Sequence, residues 1–194
     1  MFLSINALIL NFFVLFQYSN ADLVTKKFDP YNMDPSYRVP KISTPLSEKE
    51  IAESLCVSHI EIHGAPPSKN RLALSWAQIS LENARGKKVW NNNLGNQGPF
   101  RMDQKYYHHL RHGWPYRAFE RPEESAKSYW QILGKCSMAL RAFDDGNPTM
   151  AAVSLKNCNY YSNDMVDQYA KNLSSLYYEA IKRVIPGVNC GNDR

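Results

Sequence analysis

The sequence predicts a mainly α-helical domain, α+β in detail, with a small irregular or β-hairpin lobe beside the helices. Three observations carry this. Apolar residues recur at helical spacing in several separate stretches, and helix-opening and helix-stopping signals bracket most of them. Residues 86–121, by contrast, are rich in Asn, Gly, His and aromatics and show no helical period. The 194 residues are 44% hydrophobic and 21% charged, which excludes a disordered or fibrous chain and suits one core rather than two. Neither an internal repeat nor a βαβ alternation is visible.

The chain opens on "MFLSINALILNFFVLFQYSN", which has no charged side chain and an apolar run from Ala7 to Phe16. That run is shorter than the roughly 20 residues a membrane-spanning helix needs, and small Ser19 and Ala21 suit a signal-peptidase cut. Residues 1–21 are therefore expected to be a secretory signal, leaving a protein that is secreted or periplasmic and not inserted in a membrane. Residues 22–46 follow as an extended leader, because Pro30, Pro35, Pro40 and Pro45 disfavour helix. The catalytic domain is expected over 47–194.

Ser47 with Glu50 reads as a capping box opening a helix towards His63, and Ser68 caps a second helix of about 69–85 with Gly86 placed to end it. Pro122 opens a third, whose stripe is Ala126, Tyr129, Trp130 and Leu133. Helical stretches at 136–143 and 148–156 form a pair, the second opened by Asn147-Pro148. The longest stripe runs through Val166, Tyr169, Ala170, Leu173, Tyr177, Ala180, Ile181 and Val184, and Pro186-Gly187 stops it.

Export makes disulfides the expected use of the four cysteines, and Cys56, Cys136, Cys158 and Cys190 lack any C-x-x-C spacing for zinc. Three connectivities are possible. If 136–143 and 148–156 form a helical hairpin, its open ends bring Cys136 beside Cys158 and leave Cys56 for Cys190.

The helix at 69–85 poses the functional question. Leu72, Ala73, Leu74, Trp76, Ala77, Ile79 and Leu81 leave it no wide polar face, so it is expected to be central, and Glu82 is the charge near its end. Burial and the negative end of the helix dipole both disfavour a carboxylate there and raise its pKa. A carboxylic acid still protonated near neutrality is what glycoside hydrolysis uses to protonate the leaving oxygen. Directly afterwards, "NNNLGNQGPF" offers the amides of Asn92, Asn93 and Asn96, and "KYYHHLRHGWPYRAF" offers Tyr106, Trp114 and other rings able to stack on sugar faces. Asp103 is the preferred second carboxylate, ahead of Glu120.

"ALSWAQISLENARGKKVWNNNLGN" resembles the motif of the glucosaminidase branch of the lysozyme-like superfamily, in which a helix carrying A-x-x-A-x-x-E-[SN]-G-x-G precedes N-N-x-F-G-type residues. "RAFERPEESAKSYWQIL" and "NCNYYSNDMVDQYAKNL" are similar to two later segments of that family. The resemblance spans roughly residues 68–184. It implies a lysozyme-like helical fold whose small lobe flanks the active-site cleft, activity on peptidoglycan glycan strands, Glu82 as general acid and Tyr160 lining the cleft. Ala84 stands where the family has Gly, and the aromatic before Gly95 is missing.

The expected activity is cleavage of β-1,4 bonds in those strands. A lytic transglycosylase yielding anhydro-muropeptides, or a non-catalytic peptidoglycan-binding protein, are the alternatives, and the choice of linkage stays open. No cofactor is expected. His108, His109 and His112 form H-H-x-x-H, but the Glu of a zinc protease is missing, so no metal is expected. The net charge of +5 is scattered rather than gathered into a basic stripe, which disfavours nucleic acid. A monomer is expected.

Overall fold

The computed structural model describes residues 29, 32–108, 113–161 and 165–191. The expected signal segment, His109 and His112 lie outside them. Six α-helices and one two-stranded sheet form among the described residues: α1 (Glu48–His63), α2 (Lys69–Asn83), β1 (Tyr106–His108), β2 (Pro115–Arg117), α3 (Pro122–Leu133), α4 (Ser137–Asp144), α5 (Pro148–Asn157) and α6 (Val166–Glu179). The α-dominant class with a small β lobe is as expected.

Local chemistry sets most boundaries. The Ser47 hydroxyl accepts from the Glu50 N–H at 3.2 Å while Glu50 Oε2 accepts from the Ser47 N–H at 2.7 Å, so two orphan donors of α1 are satisfied reciprocally. Ser68 caps α2 through the Arg71 N–H, and Asn147 caps α5 through the Met150 N–H with Pro148 at the first helical position.

Helix α2 lies at the centre. Every residue from Leu72 to Ser80 is buried, and the helix packs against α1, α4 and α6. The Trp76 indole N–H donates to the Glu48 carbonyl at 3.0 Å and so fixes α2 against the start of α1. Around this axis α1 pairs with α3, α4 with α5, and α5 with α6. The Cys136–Cys158 disulfide closes the open end of the α4–α5 hairpin, and Cys56–Cys190 ties α1 to the C-terminal tail. That is the pairing the hairpin argument favours. No helix among the described residues is long and apolar enough to cross a membrane.

Three local expectations need correction. First, Gly86 does not end α2. Ala84 at φ 53° and Arg85 at φ 59° make the left-handed turn, and the Ala84 N–H caps the helix on the Ser80 carbonyl. Gly86, itself at φ 85°, follows as the third left-handed residue and also permits a close approach, since a Cβ there would stand 2.1 Å from the Leu46 carbonyl oxygen. Second, the last stripe is not one α-helix: α6 widens into a π-helical turn at Ala180–Val184 and then a 3-10 turn at Ile185–Gly187. Pro186 has no N–H to donate and crowds the carbonyl four residues back, so the α ladder cannot continue through it. Third, the proline-rich leader is not extended throughout its described part: it contains a 3-10 turn at Pro35–Tyr37, capped by the Asp34 side chain.

The rest of that leader is a strap. It bonds across the loop after α2 through Leu46 N–H to Gly86 O, Thr44 N–H to Val89 O and Asn91 N–H to Ile42 O, at 3.0, 3.0 and 2.8 Å. Further along, the Val39 N–H donates to the Tyr106 carbonyl, which joins the strap to β1. Strands β1 and β2 form an antiparallel hairpin in the register Tyr106–Arg117, Tyr107–Tyr116 and His108–Pro115.

Candidate active site

The last turn of α2 delivers Glu82 to the junction of helices and lobe. Glu82 as a residue is half-buried, yet its Oε1 is fully buried and has no hydrogen-bond partner. Burial pushes the carboxyl up to about 8, and the Asn96 amide opposes this by favouring the carboxylate. Among the described residues no second carboxylate contributes to the rise, and no Lys or Arg opposes it. At about 8 the carboxyl keeps its proton at pH 7, and desolvation is the main cause.

Four tyrosines sense its charge. Tyr129 (α3), Tyr160 (the α5–α6 connection) and Tyr169 (α6) are buried, Tyr116 (β2) is half-buried, and in each case a Glu82 carboxylate would help hold the phenol protonated. Burial is the larger cause for all four, and it takes Tyr116 up to about 12. The Tyr129 hydroxyl donates to Gln78 Oε1 at 2.6 Å, one turn before Glu82 on α2. Tyr169 stacks on Tyr161 with ring centroids 4.3 Å apart. The result, among the described residues, is an acid within electrostatic reach of neutral phenols and without a compensating charge.

The amide-rich loop takes part in a different way from the one its composition suggests. Asn96 Nδ2 donates to the Glu82 carbonyl at 2.8 Å and so ties the loop to the end of α2. Asn93 Nδ2 donates to the Gln97 and Arg117 carbonyls, and Asn92 Nδ2 to those of Phe119 and Glu120. These donors hold backbone. Buried Asn83 does the same, donating to the Leu94 carbonyl and accepting from the Gly86 N–H. Asn91, Asn92 and Asn96 all adopt positive φ, a region Asn tolerates better than most residues.

The remaining sequence-predicted residues divide. Tyr160 comes to the acid, and its hydroxyl would be 3.7 Å from a Cβ placed at Gly95, so the loop closes over it. Tyr106 is buried in β1 with its ring edge-on to His108. Trp114 is half-buried beside Gly98. Asp103 is exposed and held by Arg101 through two bonds of 2.9 Å, and exposed Glu120 pairs with Lys105 at 2.9 Å. Neither is brought to Glu82. Arg85, three residues on from Glu82, turns to α6 instead and binds Glu179 bidentately at 2.8 and 2.6 Å.

Sequence reasoning did not assign Tyr129 and Tyr169 to the site. Both read as stripe residues, and the one available signal is a phenol where Leu or Phe would fill the stripe equally well. A buried hydroxyl needs a partner, so its presence in a core stripe marks a polar interior.

No protein-family model matches the chain, and no curated protein matches it. Among solved structures the chain is similar to a peptidoglycan hydrolase mutant from Sphingomonas sp. A1, at a TM-score of 0.47 and 18% identity, covering 70% of this chain and 89% of that one.

Proposed function

We propose that this protein is an exported glycoside hydrolase that cleaves β-1,4 bonds in peptidoglycan glycan strands, with Glu82 as general acid. The observation that carries the reading is the Glu82 carboxyl, pushed to about 8 by burial in a half-buried residue, with no charged group among the described residues acting on it. Such a group holds its proton at neutral pH and can hand it to a glycosidic oxygen as the C–O bond breaks. Support also comes from the three segments that resemble the glucosaminidase branch. One supplies Glu82 and the others supply Tyr129, Tyr160 and Tyr169, all within its electrostatic reach. Two disulfides favour an oxidising compartment.

Proton donation leaves a carboxylate in a site that disfavours it, so the same group readily takes a proton back from the attacking water or hydroxyl. Asp103 and Glu120 have no part in this scheme, because both are exposed and paired with cations away from the acid. That favours a second reading, in which the sugar's own 6-hydroxyl captures the anomeric carbon and an anhydro product forms. Digestion of purified sacculi followed by mass spectrometry decides between them, since anhydro ends are lighter by one water. Wild-type protein is expected to release soluble muropeptides and the Glu82→Gln protein to release none. Full muralytic activity in the variant would falsify the assignment.

A further inference from the structure

We propose that Phe100, on the loop leading away from Glu82, is a stacking platform for a sugar ring of the same glycan strand, remote from the bond being cleaved. The proposal rests on the glycosidase reading and adds a binding site to it.

Phe100 is 39% exposed, unusual for an aromatic side chain that is also held in place. The guanidinium carbon of Arg117 lies 4.8 Å from the Phe100 ring centroid and 4.4 Å from that of Phe119, so a cation joins the two rings. Arg117 is itself anchored, donating through Nη1 to the Ser128 hydroxyl of α3 at 2.6 Å. The backbone under the ring is pinned as well: Gln104 Oε1 accepts from the Phe100 N–H at 2.9 Å and the Arg101 N–H at 3.3 Å. One side of the ring is thus turned to a fixed cation, while much of the residue meets water. A platform of this kind loses little conformational freedom on binding.

Its position selects the ligand. Asn96 is bonded to the Glu82 carbonyl, and four residues of chain reach at most about 14 Å. Phe100 therefore stands within the span of a short oligosaccharide whose other end lies at the acid. Gly98, midway, passes against the Trp114 indole, a second ring on the same path. The same loop carries polar groups: Gln104 on the Phe100 backbone and the exposed Arg101–Asp103 pair next along the chain. An exposed apolar face with polar groups on the same loop matches the C–H face and equatorial hydroxyls of a pyranose.

The test uses the full chain with Glu82→Gln to stop turnover, alone and combined with Phe100→Ala or Phe100→Trp, and measures co-sedimentation with insoluble peptidoglycan. Removing the ring is expected to weaken binding about tenfold, and Trp to restore it, while all proteins melt within about 2 °C of one another. Undiminished binding by the Phe100→Ala protein, with the parent Glu82→Gln protein binding well, overturns the platform alone. Failure of that parent to bind at all overturns both the platform and the ligand class. Retained catalysis in Glu82→Gln strikes only the catalytic reading.

Discussion

At the scale of single residues, the carboxyl proposed as the general acid, Glu82, carries a cost in stability. Its carboxyl sits at about 8 in the fold against an ordinary 4.5, so between these values the folded state holds a proton that the unfolded chain has released. Folding stability therefore falls as pH rises from about 4.5 to about 8, by up to about 5 kcal/mol in all. Glu82→Gln removes the ionisation, and the variant is expected to melt well above wild type at pH 9 and together with it at pH 4 in paired thermal scans. Under the proposed function the same titration is expected to set the alkaline limb of activity, with kcat/KM falling through a single ionisation near pH 8. Asn96→Gly, which keeps the loop's positive φ accessible, removes the one group that favours the carboxylate; it is expected to shift that limb upward, and a downward shift in the measured profile would contradict the role given to Asn96. The acid is legible in the sequence because an apolar helix flanks it. The tyrosines opposite are less so, because burial of a phenol depends on which helices meet.

At the scale of elements, the end of α2 departs most from what its residues lead one to expect. The helix closes on Ala84 and Arg85 in the left-handed region, where a Cβ is strained, while Gly86 is used for the strap's approach. Three ties hold the turn: the bidentate Arg85–Glu179 pair, the buried Asn83 amide, and the Leu46–Gly86 backbone bond. Ala84→Gly is expected to stabilise the protein by about 1 kcal/mol, read as a higher denaturant midpoint with an unchanged slope. Capping signals are local, which is why Ser47, Ser68, Pro122 and Pro148 mark helix starts correctly from sequence. Gly86 misleads because its positive φ comes two residues after the helix has closed, and its close approach to Leu46 depends on the path of residues 40–46, which local sequence does not show.

At the scale of the whole molecule, long-range ties decide what the sequence can reveal. The strap's docking is invisible in advance, since it is made largely by main-chain N–H and C=O groups that nearly every residue carries. The disulfides are partly visible: once the α4–α5 hairpin is granted, Cys136 meets Cys158 and the other pair follows. Their consequences differ with the chain they enclose. Cys136–Cys158 closes a separation of 22 residues, whereas Cys56–Cys190 closes one of 134. Loop-closure entropy assigns them about 3 and about 5 kcal/mol respectively, so the longer link restricts the unfolded chain more. The double serine variant of Cys56 and Cys190 is accordingly expected to lose more stability in urea than that of Cys136 and Cys158. It frees the tail from α1 and removes no bond to Glu82 or to the loop that Asn96 ties to it. Activity in that variant below its melting temperature is therefore expected to stay close to wild type, and an early loss of turnover at temperatures where circular dichroism shows an intact fold would place the C-terminal tail in control of the acid.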